Sequence, residues 1–235
     1  RRRCPVGVSS HRFARAVGLA GYPMLRSALV EGFEAMLAPV EKMRVRLREP
    51  GSVHDAFMAA LDERQRNIAA TRATLQAGEC EAAVQAIVDA QRIHVLGFGA
   101  SGWLAGMLQR CLEVHCDNVQ LMTSVAGATQ GARQLPRMGS TDLLIAICFP
   151  RYLTDTVLLT QRAHERGVRV LALTDGPQSP LVSAAHNCLF VQADSYHAAN
   201  SDSTVLALIE ALACAVALRT SDSVQDATRV TEAVL

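Results

Sequence analysis

Residues 95–102, VLGFGASG, join an apolar run to three closely spaced glycines. The residues leading into this stretch, RIHVLGFG from position 92, have the uninterrupted apolar character of a strand that is buried on both faces. The residues that follow, GWLAGMLQRCLEV from position 102, have apolar side chains at helical spacing. The stretch therefore predicts the first strand-to-helix crossover of an α/β sheet.

The same alternation continues from this crossover to residue 219. Further apolar runs of strand length alternate with segments of helical spacing, which indicates parallel strands joined by helices. The predicted strands span 118–123, 142–149, 168–175 and 187–192, and the predicted helices span 125–135, 153–167, 179–186 and 201–219. We therefore predict a five-stranded parallel doubly wound sheet with helices on both faces. Ligands of such sheets bind at the carboxyl ends of the strands, which here are the loops after Phe98, Thr123, Phe149 and Asp175.

The first part of the chain is predicted to be all α. Residues 24–47 have helical spacing interrupted at Pro39, and two further helices are predicted at 55–76 and 79–91, with Gly78 as a stop signal between them. We accordingly divide the chain into an N-terminal helical segment, residues 1–48, and an α/β domain, residues 49–235.

Composition excludes several classes of protein. Half of the residues are apolar and the formal net charge is +1, so no overall charge attracts nucleic acid or a membrane surface. The seven cysteines are odd in number and scattered, which favours reduced thiols in a cytoplasmic protein over a disulfide framework. Their spacing predicts no metal site, because Cys111, His115 and Cys116 lack a second pair of ligands. No signal peptide or membrane-spanning run is expected.

The glycine loop, residues 97–102, is a candidate anion site, because a helix begins there and its free amide groups favour negative charge. A dinucleotide would also need an acidic residue at the end of the second strand. That strand ends in Thr123 and Ser124, with Asp117 at the opposite end, so the sequence predicts no nucleotide cofactor. Two interpretations remain open: a smaller phosphorylated or polyhydroxylated ligand, or a tight turn that Ser101 caps without any ligand.

Two segments resemble a known family. The glycine loop together with residues 141–191, which contain LALTDGPQSPL, is similar to a sugar isomerase (SIS) domain. The segment VSSHRFARAVGLAGYPMLRSAL, residues 8–29, resembles the end of the helix-turn-helix of RpiR-type bacterial transcriptional regulators. That family joins a DNA-binding helix-turn-helix to a SIS domain that senses a sugar phosphate.

The resemblance implies where the ligand binds. It places Gly97, Gly99 and Gly102 around the ligand, with the Ser101 hydroxyl donating to its phosphate. It also implies a contribution from the hydroxyls of Thr123 and Ser124 after the second strand.

After the third strand, SIS domains that bind sugar phosphates commonly have Ser-x-Ser-Gly-x-Thr, whereas this chain has Cys148-Phe-Pro-Arg-Tyr-Leu153. A branch of the regulators resembles this Phe-Pro-Arg-Tyr form, usually with a small polar residue at the position of Leu153. The serine and threonine hydroxyls are missing, and Arg151 is a candidate to pair with the anion in their place. Tyr152 is a candidate to contact the sugar. The alternatives are that Arg151 is a solvated charge and that Tyr152 packs against a neighbouring subunit. Ser201, which opens the last helix, is either a further ligand contact or a helix cap.

The resemblance also implies a DNA-binding segment, in which Arg12 and Arg15 lie on one helical face and contact phosphates. The helix-turn-helix looks incomplete, because residues 1–18 leave no room for two helices before the recognition helix. The implied function is a regulator that forms a homodimer or tetramer and whose SIS domain senses a phosphorylated or acidic sugar. The alternative is a sugar-phosphate isomerase, but no residue clearly supplies the catalytic base that such enzymes use.

Overall fold

A computed structural model describes residues 14–15, 20–26, 51–123, 127–195 and 199–220. We number the helices and strands from residue 51 onward. The helices are α1 (Val53–Thr74), α2 (Ala77–Val88), α3 (Ala100–Leu112), α4 (Ala128–Gln134), α5 (Thr154–Glu165) and α6 (Asp202–Arg219), with short 3-10 turns at Leu135–Arg137 and Val182–Ala184. The strands are β1 (Arg92–Leu96), β2 (Val119–Leu121), β3 (Asp142–Ile147), β4 (Arg169–Thr174) and β5 (Asn187–Phe190).

The five strands form one parallel sheet in the order β2-β1-β3-β4-β5. Side chains alternate between the two faces, so that Val95 belongs to one core and the adjacent Leu96 to another. Helices α2, α3 and α6 cover the first face, whereas α4 and α5 cover the second. The predicted five-stranded sheet with helices on both faces is therefore confirmed.

Two local predictions were wrong. Gly78 does not separate two helices, since it lies inside α2, and the break falls at Leu75 and Gln76 instead. A Cβ at Gly78 would meet nothing within 4 Å, so this glycine sits on an open helix surface where it is tolerated at a modest cost in helix propensity. The helix predicted over 179–186 is reduced to the 3-10 turn at Val182–Ala184.

An ion pair between Arg92 and Asp142 joins the amino-terminal ends of the neighbouring strands β1 and β3. Asp142 of β3 is 1% exposed, and its two carboxylate oxygens accept from Nε and Nη2 of Arg92 in β1 at 2.9 and 2.8 Å. The Gly139 amide also donates to Asp142, at 2.8 Å. Burial by itself raises the pKa of Asp142, but the hydrogen bonds from Arg92 and Gly139 outweigh it and lower the pKa overall.

His94 of β1 is a buried polar residue in the second core. It is 3% exposed, and neither ring nitrogen has a hydrogen-bond partner in the part of the chain that the structure describes. Burial lowers the pKa of His94, and the nearby Asp142 carboxylate and Gln134 side chain oppose this only in part. The imidazole is therefore held in its neutral form, since burial disfavours the charged form more than these neighbours favour it.

A group whose pKa is lower in the folded than in the unfolded state loses its stabilising contribution as the pH falls. We therefore expect the free energy of unfolding to decrease as the pH drops below 6.5, the ordinary pKa of histidine. The His94→Leu variant should be more stable by about 1 kcal/mol, because it removes two unsatisfied buried nitrogens, and its pH dependence should be shallower. Urea denaturation at several pH values measures both effects.

The control is His54→Leu, which makes the same change at an exposed position and should leave the pH dependence unaltered. An unchanged pH dependence in the His94→Leu variant would contradict the assignment.

Candidate functional site

The carboxyl ends of β1 and β3 form a topological switch point. These strands are neighbours in the sheet, but α3 leaves β1 toward one face and α5 leaves β3 toward the other. In open α/β sheets, ligands bind at the point where the connections diverge in this way. The predicted glycine loop and the loop after β3 therefore lie side by side.

Two glycines allow the close approach of α3 to the sheet. A Cβ at Gly97 would lie 2.5 Å from the backbone oxygen of Ser101, which is much closer than van der Waals contact. A Cβ at Gly102 would lie 3.1 Å from Cγ2 of Thr123. Gly99, at φ 59°, occupies the left-handed region that favours glycine and is the N-cap of α3. The loop is thus shaped by glycine at all three predicted positions.

Ser101 lies in the first turn of α3 and is half-buried. The interpretation that Ser101 caps this helix is wrong, because Gly99 is the N-cap residue and no side chain caps α3. In the part of the chain that the structure describes, the Ser101 hydroxyl has no hydrogen-bond partner. It remains available to a ligand at the positive end of the helix dipole.

Thr123, at the end of β2, ties the glycine loop to the sheet. Its hydroxyl donates to the Gly97 carbonyl and accepts from the Gly97 amide at 3.4 Å. The resemblance assigns the Thr123 hydroxyl to the ligand, but its hydrogen is donated to the Gly97 carbonyl. Toward a ligand, the Thr123 oxygen can act only as an acceptor. The neighbouring Ser124 lies outside the described residues.

Arg151 has an unusual backbone in the loop after β3. Its φ of 66° places it in the left-handed region, the one non-glycine residue there among those the structure describes. Its side chain is exposed and makes no ion pair or hydrogen bond with the described residues. The guanidinium is therefore free to pair with an anion.

The Tyr152 side chain turns inward. Its hydroxyl donates to the Asp175 carboxylate, with distances of 2.8 and 2.9 Å to the two oxygens. Burial and this carboxylate both raise the pKa of Tyr152. Asp175 follows β4 and also accepts from Thr174 at 3.1 Å. The interaction thus links the loops after β3 and β4 within one subunit. A contact of Tyr152 with a sugar or with a neighbouring subunit stays a prediction.

Leu153 completes the loop and lies over the glycine loop. One of its methyl carbons is 3.2 Å from the position of a Cβ on Gly99, and the side chain is 46% exposed. An apolar surface therefore borders the glycine loop where the family pattern has a threonine.

Ser201 is buried at the start of α6, with 2% exposure. It occupies the N-cap position, but its hydroxyl lies 3.1 Å from the hydroxyls of both Ser203 and Thr204 and bonds to no helix amide. Asn200 next to it donates to the Pro150 carbonyl at 3.4 Å. The Asn200 side chain therefore contacts the loop after β3. The Ser201 hydroxyl is hydrogen-bonded within the protein.

Trp103 is a surface feature of the site that sequence analysis missed. It follows Gly102 in α3, and its side chain is 83% exposed. Tryptophan side chains are highly buried on average, so an exposure this large is unusual. The position of the tryptophan directly after the glycine loop was the signal in the sequence that could have drawn attention to it.

The remaining predictions concern other parts of the chain. Arg12 lies outside the described residues, and Arg15 is exposed. Within the described ranges no three histidine, cysteine or acidic residues are grouped so as to hold a metal ion. None of the helices described is long and apolar enough to cross a membrane.

Comparison with known proteins shows the family of the chain. The profile of the SIS domain matches residues 86–218. The chain is 26% identical over 218 residues to the HTH-type transcriptional regulator HexR of Pseudomonas aeruginosa, a match that covers 89% of this chain and 72% of HexR. The resemblance to RpiR-type regulators that the sequence indicates is thereby confirmed.

Two solved structures are similar in fold. The sugar isomerase domain of the RpiR transcription factor from Sphaerobacter thermophilus superposes with a TM-score of 0.70 at 28% identity, covering 74% of this chain and 97% of that one. The NanR protein of Vibrio vulnificus, solved in complex with ManNAc-6P, superposes with a TM-score of 0.68 at 20% identity, covering 97% of this chain and 81% of that one.

Proposed function

Because this chain belongs to the SIS domain family and is similar to HTH-type transcriptional regulators, we propose that it is a cytoplasmic regulator whose SIS domain binds a sugar carrying an acidic group. The ligand binds at the switch point between β1 and β3. Its anionic group contacts Ser101 and Arg151, and the glycine loop lets the backbone approach it closely.

One observation carries this proposal. At the switch point, the Ser101 hydroxyl and the Arg151 guanidinium are donors without a partner among the described residues, while Thr123, Tyr152 and Ser201 use their hydroxyls within the protein. Donors that remain free beside a helix start suit an anion.

We propose that the protein regulates transcription by binding DNA. Arg12 and Arg15 contact phosphates, and the chain acts as a homodimer or tetramer in which ligand binding changes the affinity for an operator. By linkage, the ligand must then bind the two operator-affinity states with different strength.

The Ser101→Ala variant tests the binding site. Removing a hydrogen bond to a charged group weakens binding by about tenfold or more, so we expect the dissociation constant to rise by that factor. Thermal shift against a panel of sugar phosphates and sugar acids finds the ligand, and isothermal titration calorimetry then measures its affinity for both proteins.

Ser140→Ala is the matched control, because Ser140 is an exposed serine next to β3 at the opposite edge of the sheet. It should bind as the unchanged protein does. Equal affinity in the Ser101→Ala variant would refute the site, and conversion of an aldose phosphate to a ketose phosphate by the purified chain would refute the assignment as a non-enzyme.

A further inference from the structure

The loop after β3 presents an unusual set of groups to the candidate site. Where the family pattern supplies hydroxyl donors, this chain supplies a buried thiol at Cys148, a proline without an amide hydrogen at Pro150 and a hydrocarbon side chain at Leu153. Leu153 lies directly against the glycine loop, 3.2 Å from the Cβ position of Gly99. The wall of the site on this side is therefore apolar.

The nearby hydroxyls do not compensate for this loss. Tyr152 donates its hydroxyl hydrogen to Asp175 at 2.8 Å, and Thr123 donates to the Gly97 carbonyl. Of the side chains described around the switch point, Ser101 and Arg151 are left as donors. A guanidinium offers two parallel N–H groups, and the hydroxyl adds one more.

The hydrogen-bond donors of the site favour one of two acidic groups, a phosphate monoester or a carboxylate. A phosphate monoester has three terminal oxygens and a charge of about −1.5 to −2 at neutral pH. A carboxylate has two oxygens in one plane and a single charge, and a guanidinium fork matches that plane. A leucine side chain offers no hydrogen-bond donor, so a phosphate oxygen turned toward Leu153 would lose water without gaining a hydrogen bond, which is unfavourable.

We propose that the ligand is a sugar acid bound through its carboxylate, and that Leu153 is the residue that selects it over a sugar phosphate. This inference rests on the proposed function, since it concerns the same site. Arg151 pairs with the carboxylate in a bidentate manner, Ser101 donates to one of its oxygens, and the methyl groups of Leu153 contact the adjacent carbon atoms of the sugar.

Matched pairs of ligands test the inference. Glucuronate and glucose 6-phosphate share a sugar skeleton and differ at C6, as do galacturonate and galactose 6-phosphate, and gluconate and N-acetylmannosamine 6-phosphate complete the panel. With the full chain, we expect thermal shift and calorimetry to give affinities for the carboxylate at least about tenfold higher than for its phosphate partner.

Substitution of Leu153 should reduce the preference for a carboxylate over a phosphate. Leu153→Thr places a hydroxyl beside the glycine loop and should strengthen phosphate binding by about tenfold. It should weaken binding of the sugar acid, because the contact of the leucine methyl groups with the sugar carbons is lost. Leu158→Thr is the matched control, because Leu158 is a comparably exposed leucine of α5, at 49% against 46% for Leu153. Its ligand preference should be that of the unchanged chain.

The outcomes separate this inference from the proposed function. Preferential binding of phosphates by the unchanged chain, reduced by Ser101→Ala, would overturn the carboxylate assignment and leave the sensor function standing. A Leu153→Thr variant with no gain in phosphate affinity would overturn the role of Leu153. Absence of binding to every member of the panel would overturn both proposals.

Discussion

The Gly97→Ala variant is expected to lose about 3 kcal/mol of folding stability, because the added methyl group overlaps backbone that cannot move alone. The new Cβ would lie 2.5 Å from the Ser101 oxygen and 2.9 Å from the Ser101 carbonyl carbon. Relief requires α3 to move away from β1, which also displaces the Ser101 hydroxyl from the switch point. Urea denaturation measures the stability loss, and calorimetry should show that ligand binding is abolished.

Gly106→Ala is the control for this variant. Gly106 lies in the middle of the same helix, and a Cβ there would meet nothing within 4 Å. Alanine in an open helix position should stabilise the protein by about 0.5–1 kcal/mol. A Gly97→Ala variant as stable as Gly106→Ala would show that α3 does not approach β1 as closely as described.

The Arg92→Leu variant should be destabilised by about 2 kcal/mol, since it leaves the buried Asp142 carboxylate without its counter-ion. The loss is smaller than for a fully buried pair, because the Arg92 side chain is 39% exposed and solvent screens the interaction. Asp142 would keep the Gly139 amide, at 2.8 Å, as its remaining donor. The double variant Arg92→Leu/Asp142→Leu should recover part of the loss, because it removes the buried charge together with its partner. Thermal and urea denaturation of the two variants measure this recovery.

The same ion pair gives an expected pH dependence. The pKa of Asp142 is lowered in the folded protein, so its contribution is present at neutral pH and is lost as the pH falls below the ordinary carboxylate range. That loss should be smaller in the Arg92→Leu variant.

The control is Arg162→Leu, which breaks an exposed pair with Glu165 at 3.1 Å and should change stability by less than about 0.5 kcal/mol. An equal effect of the two arginine substitutions would contradict the distinction between a buried and an exposed pair.

Sequence patterns predicted the sheet because its strands are buried on both faces, and a continuous apolar run is typical of that environment. The predicted ends were less accurate. Phe98 and Phe149 extend the apolar runs, yet they follow β1 and β3 and pack beside the loops. Apolar residues in a sequence indicate which positions are buried. Burial continues beyond the last hydrogen bond between neighbouring strands, so the apolar runs could not show where each strand ends.

The position of the candidate site in the sheet could be predicted from the sequence, but the hydrogen bonds and contacts of its side chains could not. The order of alternating elements predicts where the carboxyl ends of the strands meet, and this placed Ser101 and Arg151 at the same edge. The bond between Tyr152 and Asp175 joins residues 23 positions apart, and the contact of Leu153 with Gly99 joins two separate loops. Such pairings depend on loop conformation, for which a single sequence carries no periodic signal.

The exposed indole of Trp103 gives the chain an internal optical reporter. It is the one tryptophan in the sequence, it is 83% exposed, and it directly follows the last glycine of the loop at the switch point. Its fluorescence is therefore not mixed with emission from other indoles, and we expect a ligand bound at the glycine loop to change it. Occupancy can be followed by stopped-flow mixing in the unlabelled protein, which gives access to association and dissociation rates as well as affinities.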